Sequence, residues 1–465
     1  MKITEYKKII VLTAILTLLI GNLYAQLEKI SQIDSLMKRV NKNGIFNGNI
    51  LVAKDGKIIF SSSLGYADAL RQKMLTTDYR FNIGSITKEF SAVSILKLQE
   101  QGKLKLDDKV SKFITALPKW ADKITIKNLL QYTSGLPDIN WNTIKSDEDV
   151  LNDLKKIDTL LFEPGTNSNY NNNNVLLRQF IVQKITGMPF NLFAEKYIFA
   201  PCNMYSSLMN PSKDVKDIAK SFTDDFIEDP TDLPISGVAF VTTYDLFQWV
   251  MNLHNEKLIN KKSIYESGQA FRAAQSGLGN VTFENTTLKE HQHDGQSRNF
   301  EAFMYSDVPE KIVIILLTNN KNGKLSAITT AIKAILKEQP YSIPKKSIYK
   351  YLKKYTDSLK IEEVISIYTN LKATKNNELD FQSEDDLNML GYDLLNAKRI
   401  NDAIQILNLN MQQFPFSANV YDSMAEAYYL KGDLKSAVIN YKKSFAIDPK
   451  NENAKQMIER IEKVN

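Results

Sequence analysis

The chain predicts an α+β domain followed by an all-α tail, and three observations carry that prediction. Strand signals stand at both ends of residues 26–340, with helical periods between them. From about residue 345 the apolar pattern is helical throughout, with no strand-like alternation. Between the two lies Pro340-Tyr341-Ser342-Ile343-Pro344, where two prolines restrict the backbone. This order implies one antiparallel sheet built from both ends of the domain, with a helical region beside it.

The elements follow in order. Residues 1–25 read as an export signal: Lys7 and Lys8 close a basic start, Ile9 to Ile20 form an apolar run, and Leu23-Tyr24-Ala25 precedes Gln26. The alternative is an uncleaved anchor, but a dozen apolar residues fall short of the ~20 that span a bilayer as a helix. The expected mature protein is therefore exported, periplasmic or secreted, with no stable membrane span. A helix is predicted over Leu27 to Val40. Strands over Asn47 to Ala53 and Lys57 to Ser62 flank a Lys54-Asp55-Gly56 turn, a strong hairpin signal. Near the far end, His293 to Tyr305 and Lys311 to Thr318 read as two more strands, before a helix over Leu325 to Leu336.

Composition narrows the function. The 465 residues are 43% hydrophobic and 24% charged, with 18 Gly and 13 Pro, which fits a folded multidomain chain and excludes collagen-like and largely disordered classes. A net charge of +6 without Lys/Arg runs gives no reason to expect a nucleic-acid partner. Cys202 is the single cysteine, so no internal disulfide can form, and its apolar neighbourhood suggests a buried small hydrophobe. The three histidines, His254, His291 and His293, have no metal-ligand spacing, although His291 and His293 could share one strand face. Neither a metal nor a cofactor is expected.

The candidate chemistry is Ser85-Ile86-Thr87-Lys88. A serine and a lysine three residues apart at a helix start share one face. The spacing alone is worthless, because Ser35, Ser94, Ser342 and Ser347 also precede a lysine by three. The surroundings separate Ser85. Phe81-Asn82-Ile83-Gly84 reads as an extended lead-in with a free-turning glycine, and Glu89 to Lys103 continues as a helix. Orphan N–H groups and the positive end of the dipole there favour an alkoxide-like nucleophile, and a buried lysine beside it can serve as a base.

These residues resemble the serine β-lactamase and penicillin-binding-protein-like hydrolase superfamily, in its class C, D,D-peptidase and esterase branch. The resemblance covers about 45 to 338. It rests on Phe81 to Lys88, on Ile124 to Asp138 with its Tyr132-Thr133-Ser134-Gly135, on Pro164-Gly165-Thr166 leading to Tyr170-Asn171-Asn172, and on His293-Asp294-Gly295. It implies a β-lactamase/transpeptidase-like fold in which Ser85 forms an acyl-enzyme with an ester or amide. Lys88 would take its proton, with Tyr170 as relay; whether the lysine or a tyrosine phenolate is the base stays open. Two flanking cations would lower the pKa of Tyr170. Asn172 would meet the substrate backbone, Gly295 would keep the strand edge open, and the backbone N–H groups of Ser85 and Gln296 would form the oxyanion hole.

The family's third motif is usually Lys-Thr-Gly, and here a histidine and a carboxylate replace the cation and hydroxyl. His293 and Asp294 are therefore expected at the substrate, with weak or absent β-lactamase activity. If Asp294 faces the pocket it would repel a substrate carboxylate and favour neutral or positively charged substrates. Tyr132 to Asp138 is expected to be a supporting loop.

In the tail, a shift of 34 superposes Leu387 on Tyr421, Leu390 on Met424, Leu394 on Tyr428, Ala403 on Ala437, Leu407 on Tyr441 and Pro415 on Pro449. This resembles two tetratricopeptide repeats over 384–465, with 341–383 as a helical linker and cap. The tail would be either a groove for a protein partner or a stabilising appendage. Two functions are consistent with the whole chain: an exported serine hydrolase acting on a small ester or peptide, or a catalytically silent sensor of cell-wall fragments that uses the tail to meet a partner.

Overall fold

The computed structural model describes residues 24, 26–141, 143–212, 214–230, 235–272 and 274–463. Apart from Tyr24, the expected export segment lies outside the described residues. Among them, no helix is long and apolar enough to cross a membrane. The chain divides into two compact units, one of 46–343 with the N-terminal residues through Lys42, the other of Pro344 onward with 43–45.

The first unit runs α1 (26–42), β1 (Gly48–Lys54), β2 (Lys57–Leu64), β3 (Phe81–Asn82), α2 (Lys88–Glu100), α3 (Ile126–Leu130), α4 (Asp147–Lys155), α5 (Asn172–Thr186), α6 (Phe190–Ala194), β4 (Leu208–Met209) and β5 (Ala239–Val241). It continues with α7 (Thr243–His254), α8 (Lys261–Ser267), β6 (Asn280–Glu284), β7 (Thr287–Ser297), β8 (Phe300–Asp307), β9 (Ile312–Thr318) and α9 (Leu325–Leu336). The main sheet is antiparallel in the order β2-β1-β9-β8-β7-β6. Both ends of the domain thus meet where β1 pairs with β9.

Asp55 and Gly56, both at positive φ, close the first hairpin as its Asp-Gly pair requires. Every residue of β8 and β9 is buried, so these apolar strands are covered on both faces. Ala302, Met304, Val313, Ile315 and Leu317 face the main core with α2 and α5, and α9 packs on β8 and β9. The expected single strand over His293 to Tyr305 is two strands joined by a turn at Arg298 and Asn299, and β6 extends the sheet beyond it. Cys202 is fully buried and burial pushes its thiol up to about 12, which makes it inert packing.

The second unit holds a parallel bridge of β10 (Lys346–Ser347) with β11 (Leu379–Asp380), a strand contact the helical pattern does not announce. Its helices are α10 (Ile348–Thr356), α11 (Ile361–Thr374), α12 (Glu384–Asn396), α13 (Ile400–Gln413), α14 (Ala418–Lys431), α15 (Leu434–Ile447) and α16 (Glu452–Glu462). From α12 onward each helix packs on the next. A Cβ on Gly391 would stand 2.6 Å from Leu407 Cδ2, so its lack of a side chain brings α12 and α13 together. Tyr392, whose hydroxyl donates to Glu426 Oε2 at 2.6 Å, joins α12 to α14.

Candidate active site

Ser85 lies in a single 3₁₀ turn, Gly84–Thr87, which runs directly into α2. Asn82 prepares that turn by accepting the Gly84 N–H at Oδ1, 2.9 Å away. Gly84 then takes φ +51, a conformation other residues adopt at a cost. A Cβ there would meet Gln296 N at 2.4 Å, and a Cβ on Gly295 would meet Ile83 O at 2.0 Å and Ser85 N at 2.8 Å. The two glycines thus let β7 close onto the nucleophile turn. Ser85 and Gln296 are thereby brought to the wall of one cavity. Gly295 works by this close approach rather than as an open edge for substrate.

Lys88 Nζ donates to Ser85 Oγ at 2.8 Å. Burial lowers the Lys88 pKa to about 8, helped by the Arg178 charge and opposed by Asp138 and Asp294. Near neutral pH a useful fraction is then neutral and can receive the serine proton. Tyr170 is hydrogen-bonded with Ser85, and its ring lies 5.2 Å from Lys88 Nζ. Contrary to the expectation from flanking cations, its phenol is held well above the ordinary value. Burial and Tyr132 raise it, outweighing Ser85 and Arg178, which lower it.

The Asn171 to Asn174 run forms a helix start. Asn171 caps α5 by accepting from Asn174 N at 3.1 Å, and its Nδ2 donates to Leu136 O at 2.9 Å. Asp138 Oδ1 accepts from Asn172 N at 3.1 Å. Gly165 N donates to Thr133 O and Asn169 N to Tyr132 O, both at 2.8 Å. The segment from Tyr132 to Asp138 therefore supports Tyr170 and Asn172 from behind, and the Tyr132 and Tyr170 rings stand 4.7 Å apart.

Ser85, Lys88, Tyr170, Asn172 and Gln296 all line one cavity of about 650 Å³. His293, Asp294 and Gly295 do not line it. His293 is 2% exposed, and its Nδ1 meets Glu89 Oε1 at 2.6 Å. Its side chain therefore points behind the wall, which corrects its expected place at the substrate. His291 Nε2 reaches the same Glu89 oxygen at 3.0 Å, Trp249 Nε1 donates to Oε2 at 2.7 Å, and His254 Nε2 stands 3.0 Å from His291 Nδ1. All three histidines thus gather around one buried carboxylate. Asp294 does not line the cavity, although its charge acts on Lys88 and Tyr170, so the condition for the expected substrate repulsion, that Asp294 faces the pocket, is not met.

Two contributors escaped the sequence reading. Arg298, in the β7–β8 turn, lines the cavity and donates through Nη1 to Pro230 O. Arg178, inside α5, is fully buried. Among the described residues, the cavity wall carries Lys88 and Arg298 as charged groups and no carboxylate.

A serine and a lysine one turn apart, beside a tyrosine, thus stand on one cavity wall of a β-lactamase-like fold. The chain matches the Beta-lactamase family over residues 32–337 and belongs to it. It is 27% identical over 357 residues to penicillin-binding protein 4* of Bacillus subtilis, covering 68% of this chain and 78% of that one. A class C β-lactamase structure superposes with TM-score 0.58 at 19% identity, over 68% of this chain and 97% of that one. D-amino acid amidase from Ochrobactrum anthropi SV3 superposes with TM-score 0.55 at 21% identity, over 67% and 97%. These two likenesses concern the fold alone.

Proposed function

We propose that this protein is an exported serine acyl hydrolase that cleaves amides or esters of D-amino-acid or short-peptide type through an acyl-enzyme on Ser85. The observation that carries the reading is the 2.8 Å contact between Ser85 Oγ and a Lys88 lowered to about 8, on the wall of an open cavity. Neutral Lys88 takes the Ser85 proton as Oγ bonds to the carbonyl carbon. The oxyanion then faces the N–H groups of Ser85 and Gln296. Because Tyr170 stays a phenol, it suits proton delivery to the leaving group, and the base role falls to Lys88. Water then attacks the acyl carbon and frees Ser85.

The substrate class draws on the D-amino acid amidase likeness and on the cavity's charge. Arg298 lines that cavity beside Lys88. β-Lactam turnover is expected to be weak, since β7 presents a buried histidine where β-lactam specialists place a cation.

Intact mass of the mature protein after a fluorophosphonate, and separately after benzylpenicillin, tests this, with Ser85→Ala as control. A Ser85-dependent fluorophosphonate adduct supports the hydrolase, and no adduct from either reagent overturns it. Cephalosporin turnover matching that of a good D-amino-acid ester would remove the substrate assignment.

A further inference from the structure

Arg178 has no solvent exposure, and among the described residues its Nε, Nη1 and Nη2 have no hydrogen-bond partner. A guanidinium is a fixed positive charge, and among the described residues no salt bridge to it is found. It faces aromatic surface instead. Its Cζ lies 5.5 Å from the Tyr132 ring centroid, and the Tyr132 and Tyr170 centroids are 4.7 Å apart. The row ends at Lys88, with Nζ 5.2 Å from the Tyr170 ring and 2.8 Å from Ser85 Oγ. Two cations thus bracket two rings inclined at 41° to each other, one cation permanent and one able to lose its proton.

We propose that Arg178 is a positioning residue for acylation, a buried fixed charge that acts across the Tyr132–Tyr170 pair to keep Lys88 available as the proton acceptor of Ser85. The inference rests on the hydrolase reading and deepens it. A like charge in a poorly solvated site disfavours a second one, and the Arg178 charge acts on Lys88 in that direction. The other groups acting on Lys88 pull the opposite way: Asp138 from the loop after α3 and Asp294 from β7. Glu89, next along α2, is occupied by His291, His293 and Trp249. The Tyr170 ring faces Lys88, and the Tyr132 ring faces Arg178. Arg178 is thus the permanent positive charge set against two carboxylates.

The test compares Arg178→Leu, Arg178→Met and Arg178→Lys with wild type in the full mature chain. Lysines carry ¹³C at Cε, Lys88 is assigned with Lys88→Arg, and its titration is followed by NMR beside the pH profile of fluorophosphonate labelling at Ser85. In the Leu and Met variants the Lys88 midpoint is expected to rise by about one pH unit, and labelling at pH 7 to fall about tenfold. Arg178→Lys, whose buried ammonium can itself lose its proton, is expected to restore the midpoint and the labelling only in part. An unchanged midpoint in either folded apolar variant overturns the proposal. Absence of Ser85 labelling in wild type, with the midpoint shift still present, would sink the hydrolase reading alone and leave the electrostatic role standing.

Discussion

Nδ1 of His293 lies 2.6 Å from Oε1 of Glu89, the residue that follows Lys88. The histidine of the third motif therefore grips the helix that carries the base. Burial favours the protonated acid in Glu89. The His291 charge and the hydrogen bonds from His291 and His293 outweigh that and hold the carboxyl down at about 2.

Glu89→Gln is expected to destabilise the domain by about 3–5 kcal/mol, because it leaves a buried network without its central charge. Thermal melts at pH 7 check this, and an unchanged midpoint would show the network to be dispensable.

Acid stability follows from the same cluster. Glu89, depressed in the fold, contributes stability that is present above the ordinary glutamate value of 4.5 and is lost as pH falls through about 2. His254, held neutral down to about 3 by burial and by His291, resists a proton that the unfolded chain accepts below 6.5. Both signs agree, so the melting temperature is expected to fall steadily from about pH 6.5 toward 2. A flat melting temperature between pH 6 and 4 would contradict the His254 assignment.

The rate of Ser85 labelling by a neutral fluorophosphonate should rise with pH and level off above about 8, as Lys88 loses its proton. Lys88→Met should lower the plateau by about 10²–10⁴-fold. A profile flat from pH 6 to 9 would remove Lys88 as the base.

Gly84→Ala and Gly295→Ala should each cost about 2–4 kcal/mol and abolish labelling, since each new Cβ collides with the facing backbone. Gly323→Ala is the control. Like Gly84 it has a positive φ, +66, but it has open space around it, so about 1 kcal/mol is expected. A loss at Gly323 equal to that at Gly84 would mean that backbone conformation, not close approach, is decisive at Gly84.

The hairpin at Asp55-Gly56, the helix behind Lys88 and the terminal helix over Leu325 to Leu336 were legible because local chemistry decides them. Ser85, Lys88, Tyr170, Asn172 and Gln296 were legible through their motifs, and they share one cavity. The direction of His293 was not. A strand's alternation says which residues share a face, and only the long-range partner Glu89 reveals which face looks inward. Arg298 was hidden because Ser297-Arg298-Asn299 carries no glycine or proline to mark a turn between the two strands. Arg178 sits within the apolar stretch Val175 to Val182, where its neighbours read as an ordinary buried helix face.

The place of β1 between β2 and β9 has a consequence for how the protein comes into being. The serine, the lysine and the tyrosine are all synthesised long before Gln296 and the strand that covers β1. A growing chain that has passed Tyr170 holds the nucleophile, the base and the relay, yet has no second amide for the oxyanion and an open edge along β1. Chemical competence therefore arrives late and all at once, and covalent labelling of Ser85 doubles as a clock for completion of the sheet.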